Sequence, residues 1–369
     1  MNLAPAADLL YDETEEELRH SLRRLLADRC PPDRVLSVYD SSPTVSALWK
    51  AVAADLGLAG ILVPESLGGA GLGAREAAVV MEELGRAAAP VPYLSSAVLA
   101  TVALLTAGER DTVRRLALGD VTAALAVPLS TPPGEWPSTV TADDSGLTGR
   151  VTTVAGTELA SVLVVAASGP DGQQLHTVNL PADGVTITPT PALDMTRPLA
   201  DITLSGASST RVDSGNAAEA VRRALWCAAA LLPSEQYGVA SWCLEATLSY
   251  VKERRQFGRA VGSFQAVKHR MADLWLEVGQ TGALARYAAD CLARDDADAE
   301  IAACVAQSFC GDAAVHAAEE CVQLHGGIAM TWEYPAHLYL KRAKSDQLAL
   351  GAGHQYRSRL SELVDLPSC

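Results

Sequence analysis

The chain has 369 residues, 49% of them hydrophobic and 20% charged, which supports one large core or two to three smaller ones and excludes a disordered chain. Its formal charge of −15 argues against nucleic acid, whose phosphates are met by clustered Lys and Arg, and against an anionic membrane surface. Met1 to Glu17 lacks a basic segment followed by an apolar run, and the longest clean apolar stretch, Ala224 to Leu232, is too short for a bilayer; the expected location is the cytoplasm.

Thr14 to Arg29 carries leucines at 18, 22, 25 and 26 behind three early glutamates, which predicts an amphipathic helix with acids at its positive end. Helical patterns follow at Val45 to Leu56, Ala74 to Ala88, Leu94 to Leu105 and Arg110 to Leu118, with a glycine-rich loop, Val63 to Gly73, before the third helix. From Val121 the texture changes. Pro128, Pro132, Pro133 and Pro137 exclude helix, and the short runs Ser161 to Ala166, Leu175 to Val178 and Val185 to Thr188 predict strands. Beyond Asn216, long helical patterns occupy 216–256, 264–293, 297–324 and 335–349. The expected class is α+β, with a helical domain over 1–120, a β-domain over 121–215 and a four-helix bundle over 216–369.

The eight cysteines (Cys30, Cys227, Cys243, Cys291, Cys304, Cys310, Cys321, Cys369) form no C-x-x-C pair and sit mostly in apolar helical contexts, so they are expected as reduced core residues without a metal. Cys369 lacks the three following residues of a prenylation box.

Two motifs stand out. Tyr250-Val-Lys-Glu-Arg-Arg-Gln-Phe-Gly258 closes a predicted helix. Its arginines are either last-turn charges that suit the helix dipole or a bidentate clamp for a pyrophosphate. Gln323-Leu-His-Gly-Gly327 is either a plain glycine helix end or a turn that lets a ligand approach the backbone. Gly262-Ser-Phe-Gln265 and Met271-Ala-Asp-Leu274 lie between them.

Motifs in this order and spacing resemble the acyl-CoA dehydrogenase family. The likeness is strongest from Gly238 onward and extends to Val63-Pro-Glu-Ser-Leu-Gly-Gly-Ala-Gly71 and to the β-domain segments Gly146 to Gly149 and Ala160 to Val165. It implies a helical N-domain, a β-domain and a C-terminal four-helix bundle, assembled as a tetramer around FAD sites shared between subunits. By that likeness Arg254, Gln256 and Phe257, with Gln323, Gly326 and Gly327, face the adenosine pyrophosphate of a FAD held partly by a neighbour. The resemblance also implies an acyl-CoA substrate and an electron acceptor such as an electron-transfer flavoprotein.

The chain departs from that pattern where the chemistry needs it most. α,β-Dehydrogenation of a thioester requires a base for the α proton and a flavin for the hydride. One family position for the base falls on Leu350, counted along Lys341-Arg-Ala-Lys-Ser-Asp-Gln-Leu-Ala-Leu350. The other falls on Ala228, and neither side chain takes a proton. Glu235, two turns beyond Ala228, is the remaining candidate base, against a solvent-facing or capping role; Pro233 is expected to bend the helix there. His325 and His354 lie near the right segments, as structural histidines or as site residues. The flavin cradle is replaced by Ala126-Val-Pro-Leu-Ser-Thr-Pro-Pro-Gly134, and only Thr152 and Thr153 remain of the strand that offers a hydroxyl to the flavin.

A chain with a pyrophosphate clamp but neither base nor cradle resembles one subunit of the α2β2 acyl-CoA dehydrogenases of actinobacterial steroid side-chain breakdown. The segment His325 to Lys344 carries that likeness. The competing expectations are a self-sufficient homomeric flavoenzyme with another base and a non-catalytic scaffold of the same fold.

Overall fold

The computed structural model describes residues 9–37 and 43–366; Cys369 lies outside them. The first helix, α1 (Glu13–Arg29), starts on a reciprocal cap: Asp12 accepts from the Glu15 N–H while the Glu15 carboxylate accepts from the Asp12 N–H, each at 2.8 Å. Leu22 and Leu26 bury its apolar stripe. A short α2 (Pro32–Ser37), absent from the sequence expectation, precedes α3 (Pro43–Lys50). Two of the expected helices change winding. Ala51–Asp55 and Tyr93–Ala100 are π-helical continuations around α3 and α5 (Thr101–Ala107), while α4 (Ala74–Arg86) and α6 (Asp111–Ala117) are regular.

The β-domain comprises β1 (Ala123–Ala126), β2 (Val140–Asp143), β3 (Gly146–Ala155), β4 (Val162–Gly169), β5 (Gly172–Asn179), β6 (Val185–Thr190), β7 (Leu199–Ala207) and β8 (Thr210–Arg211). They pair in the order β6-β7-β3-β2-β4-β5-β8, with β1 parallel to β4. The sequence expectation missed β1, whose four residues are all buried and alanine-rich, so period-two alternation is absent.

α7 (Ala217–Glu253) is the axis of the C-terminal half and runs without interruption through Pro233, where a bend is expected. Proline deprives the carbonyl four residues earlier of its donor. Here the Gln307 side-chain amide donates to the Ala229 carbonyl at 2.8 Å and replaces the lost bond. A Cβ on Gly238 would lie 2.0 Å from the Glu82 carbonyl oxygen and one on Gly85 2.2 Å from that of Glu235. These glycines let α4 and α7 cross closely, which seats the N-terminal helices on the bundle.

A two-stranded hairpin, β9 (Arg255–Gln256) with β10 (Arg259–Ala260), leads into α8 (Gln265–Ala293), α9 (Ala299–His325), α10 (Ala336–Leu348) and an additional α11 (Gly353–Leu363) packed on α9. The run Ala299–Met330 is long and apolar enough to cross a membrane, but 67% of its most apolar window is buried inside the bundle. All seven described cysteines are buried free thiols.

Candidate functional site

α7 stops at Glu253, three residues short of the expected end at 256, so Arg254 and Arg255 are not last-turn dipole charges. The next residues form a hairpin with Phe257 (φ 51°) and Gly258 (φ 77°) at its tip, the two positive φ values of a type I′ turn. Gly258 is therefore needed for a strand turn rather than a helix end. Phe257 holds a conformation uncommon for a bulky residue and is 91% exposed. Its ring meets the Phe264 ring edge-on at 6.3 Å, and the Arg259 guanidinium covers Phe264 at 3.8 Å. Arg254, Arg255 and Gln256 are exposed, and their side chains bond no other described residue.

The second motif lies beside the first. α9 ends at His325, and Gly326 (φ 68°) turns the chain into a short 3-10 segment, Gly326–Met330. Gln323 is exposed without a side-chain partner among the described residues, and a Cβ added to Gly326 or Gly327 would meet nothing within 4 Å. The ring of His325 stacks on Tyr250, one turn before Arg254, with centroids 4.3 Å apart. The structure thus brings the six motif residues to one end of the bundle. Free guanidinium, free amide donors and open glycine backbone suit a pyrophosphate, so this surface fits the adenosine-diphosphate half of FAD.

The chain's own cleft between β-domain and bundle does not fit the flavin half. The Leu129 N–H donates to the Thr153 carbonyl at 3.0 Å, and the Leu129 carbonyl accepts from the Leu350 N–H at 2.7 Å. The segment Ala126 to Gly134 therefore ties β3 to Leu350, one of the two positions where the resemblance expects a base. Pro132 packs on the next residue, its Cβ 2.9 Å from where a Gly351 side chain would begin. Leu350 is buried with φ 60°, and Tyr356 donates to its carbonyl at 2.6 Å. Thr153 (φ 52°) sits where the β3–β7 register shifts, its N–H given to Asp201 at 2.9 Å. An open cavity of about 250 Å³ remains beside this strut, lined by Thr153, Leu193, Leu348 and Lys344. His354 is exposed at the start of α11.

Glu235 is neither solvent-facing nor a free base. It is 2% exposed and receives Arg197 at 2.6 Å and Arg342 on the same oxygen. Arg342 also binds Asp194 at 2.9 Å, and Arg197 binds Asp346, so two loop residues of the β-domain are tied to α7 and α10. Sequence reasoning missed this cluster. Its only local signal was Lys341-Arg-Ala-Lys, because the acids lie far apart in the chain.

The cluster holds three carboxylates against two guanidiniums, and Asp346, fully buried, has one oxygen without a partner among the described residues. Burial and then the neighbouring Glu235 push its pKa up to about 8, against the pull of Arg197 and Arg342. The folded chain keeps this proton where the unfolded chain has already released it. The Asp346 contribution is therefore complete below the ordinary carboxylate range and is lost as pH rises towards 8, by up to about 1.4 kcal/mol per unit. Urea unfolding at pH 5.5 and pH 8 tests this: Asp346→Asn is expected to lose less stability over that interval than the parent, and equal losses would refute the assignment.

Family models for the acyl-CoA dehydrogenase N-terminal domain and C-terminal domain match residues 12–118 and 218–362. The chain is 35% identical to acyl-CoA dehydrogenase IpdE2 of Mycolicibacterium smegmatis over 95% of its own length and 99% of that protein. Among solved structures it is similar to the steroid ACAD Tcur3481-Tcur3483 (31% identity, TM-score 0.83, 96% and 98% of the two chains). It is also similar to the ChsE4-ChsE5 complex from Mycobacterium tuberculosis (26% identity, TM-score 0.85, 98% and 100%).

Proposed function

This chain belongs to the acyl-CoA dehydrogenase family, oxidoreductases acting on CH–CH bonds, and we propose that it serves there as a base-less subunit. In this reading it completes, with Arg254, Gln256, Phe257, Gln323, Gly326 and Gly327, the FAD site of a second acyl-CoA dehydrogenase-like chain that carries the catalytic carboxylate, in a cytoplasmic α2β2 assembly. The observation that carries the reading is the contrast within one chain: the clamp's polar side chains bond no other described residue, while Leu350, at the expected base position, is bonded to the strut that crosses the chain's own cleft.

Bound FAD supplies the hydride acceptor, and an electron-transfer flavoprotein or similar carrier reoxidises it. This chain's part is positional. Arg254 offers a fork of donors to the pyrophosphate, Gln323 and the Gly326–Gly327 backbone meet the adenosine side, and Phe257 covers the dinucleotide. The substrate class is a bulky CoA thioester such as a steroid with a partly degraded side chain. The relatives named for steroid ACAD activity and for a two-chain complex support the substrate class and the assembly. A self-sufficient enzyme would need a base here, and Glu235 is bound by two guanidiniums instead.

Turnover of a steroid-CoA thioester by the mixed assembly, followed by dye reduction, tests the division of labour. Changing the partner's carboxylate to an amide should abolish turnover with flavin retained. Persisting turnover would place the base elsewhere and contradict the proposal.

A further inference from the structure

We propose that His325 is a positioning residue that holds the two halves of the clamp at one spacing, so that both reach the same dinucleotide; this rests on the half-site reading above. Arg254 follows α7 and Gln323 belongs to α9, and the two lie 69 positions apart in the chain. Ring contacts join them. His325 stacks on Tyr250 at 4.3 Å and meets Tyr334, from the segment entering α10, at 4.5 Å. Three chain segments therefore converge on one imidazole, with the Gly326–Gly327 turn immediately after it.

The orientation of the ring is fixed. Nδ1 lies 2.7 Å from the Cys321 carbonyl oxygen, which can only accept, so Nδ1 carries the proton in the neutral ring. Nε2 is buried and has no partner among the described residues. The residue is 4% exposed and does not itself face a ligand. Nδ1 also lies 3.6 Å from the Cys321 Sγ, so both polar contacts stay within the last turn of α9 and only stacking area reaches the other two segments, an area that a phenyl ring keeps. Gly326 and Gly327 have no side chains to anchor the turn, so the buried residues on either side of them, His325 and Ala329, hold it.

The test uses the mixed assembly, with FAD dissociation followed by flavin fluorescence and with assembly mass and thermal midpoint measured alongside. Loss of the stack in His325→Ala or Tyr334→Ala is expected to weaken FAD binding by about tenfold, with assembly mass unchanged. His325→Phe should restore most of the affinity, a rescue that general destabilisation would not give. If His325→Ala binds FAD like the parent while Arg254→Ala loses it, or if His325→Phe is as weak as His325→Ala, the positioning role is overturned and the clamp stands. Retention of FAD by Arg254→Ala would overturn the half-site reading itself. Should His325→Ala fail to assemble, the half-buried Tyr334 decides by the same readout: unchanged FAD affinity in Tyr334→Ala refutes the proposal, and weakened affinity supports it.

Discussion

Arg254→Ala is expected to weaken FAD retention by the mixed assembly about 10- to 100-fold, the loss of one charge-assisted hydrogen bond at about 1.5–3 kcal/mol. The stability of the chain itself should barely change. Arg254 is exposed, lies beyond the end of α7 and bonds no other described side chain, so its removal strands no buried group. Gln323→Ala should act in the same direction but more weakly, because an amide makes neutral hydrogen bonds of about 0.5–1.5 kcal/mol. Flavin absorbance after gel filtration, with the thermal midpoint of the lone chain alongside, checks both halves of this expectation. Equal loss of flavin and of stability would assign Arg254 to folding rather than to cofactor binding.

The opposite profile is expected for Arg342→Ala. Arg342 is 2% exposed and donates to Asp194, Glu235, Thr196 and the Ala89 carbonyl. Removing it leaves Asp194 without its ion-pair partner and Glu235 with Arg197 alone, inside a region that water does not reach. Breaking a buried pair in this way costs about 3–5 kcal/mol. Lysine should not rescue it, since one ammonium cannot reproduce a planar fork that bonds several groups at once. A fall in the urea midpoint with a wider separation of β-domain and bundle unfolding is the expected result. A midpoint within experimental error of the parent would show that the cluster does not hold the two domains together.

The parts of this molecule that could be read from the chain are those whose determinants are local. The leucine stripe and acidic first turn of α1, the long apolar patterns of α7 to α10 and the glycine pairs of both motifs are contiguous signals. The unbroken α7 is different: Pro233 forecasts a bend, and the donor that repairs the Ala229 carbonyl comes from Gln307, 78 residues away. The strand β1 gave no alternation because both of its faces are buried. The fate of Glu235 was illegible for the same reason. Its neutralising arginines lie on a β-domain loop and on α10, and nothing in the spacing of Asp194, Arg197, Arg342 and Asp346 announces that they meet. That Ala228 and Leu350 take no proton is plain from residue type, while their standing as base positions is what the resemblance implies. That the cleft beside Leu350 is tied shut through Leu129 required the structure.

The measurement that bears most directly on the half-site is the flavin spectrum and assembly mass of this chain purified alone and after co-expression with a second acyl-CoA dehydrogenase-like chain. The closed cleft and open clamp predict a colourless chain alone and flavin in a mixed tetramer. Stoichiometric flavin in the lone chain would contradict the account, because it would require the Leu129–Leu350 strut to open and admit the cofactor within this subunit.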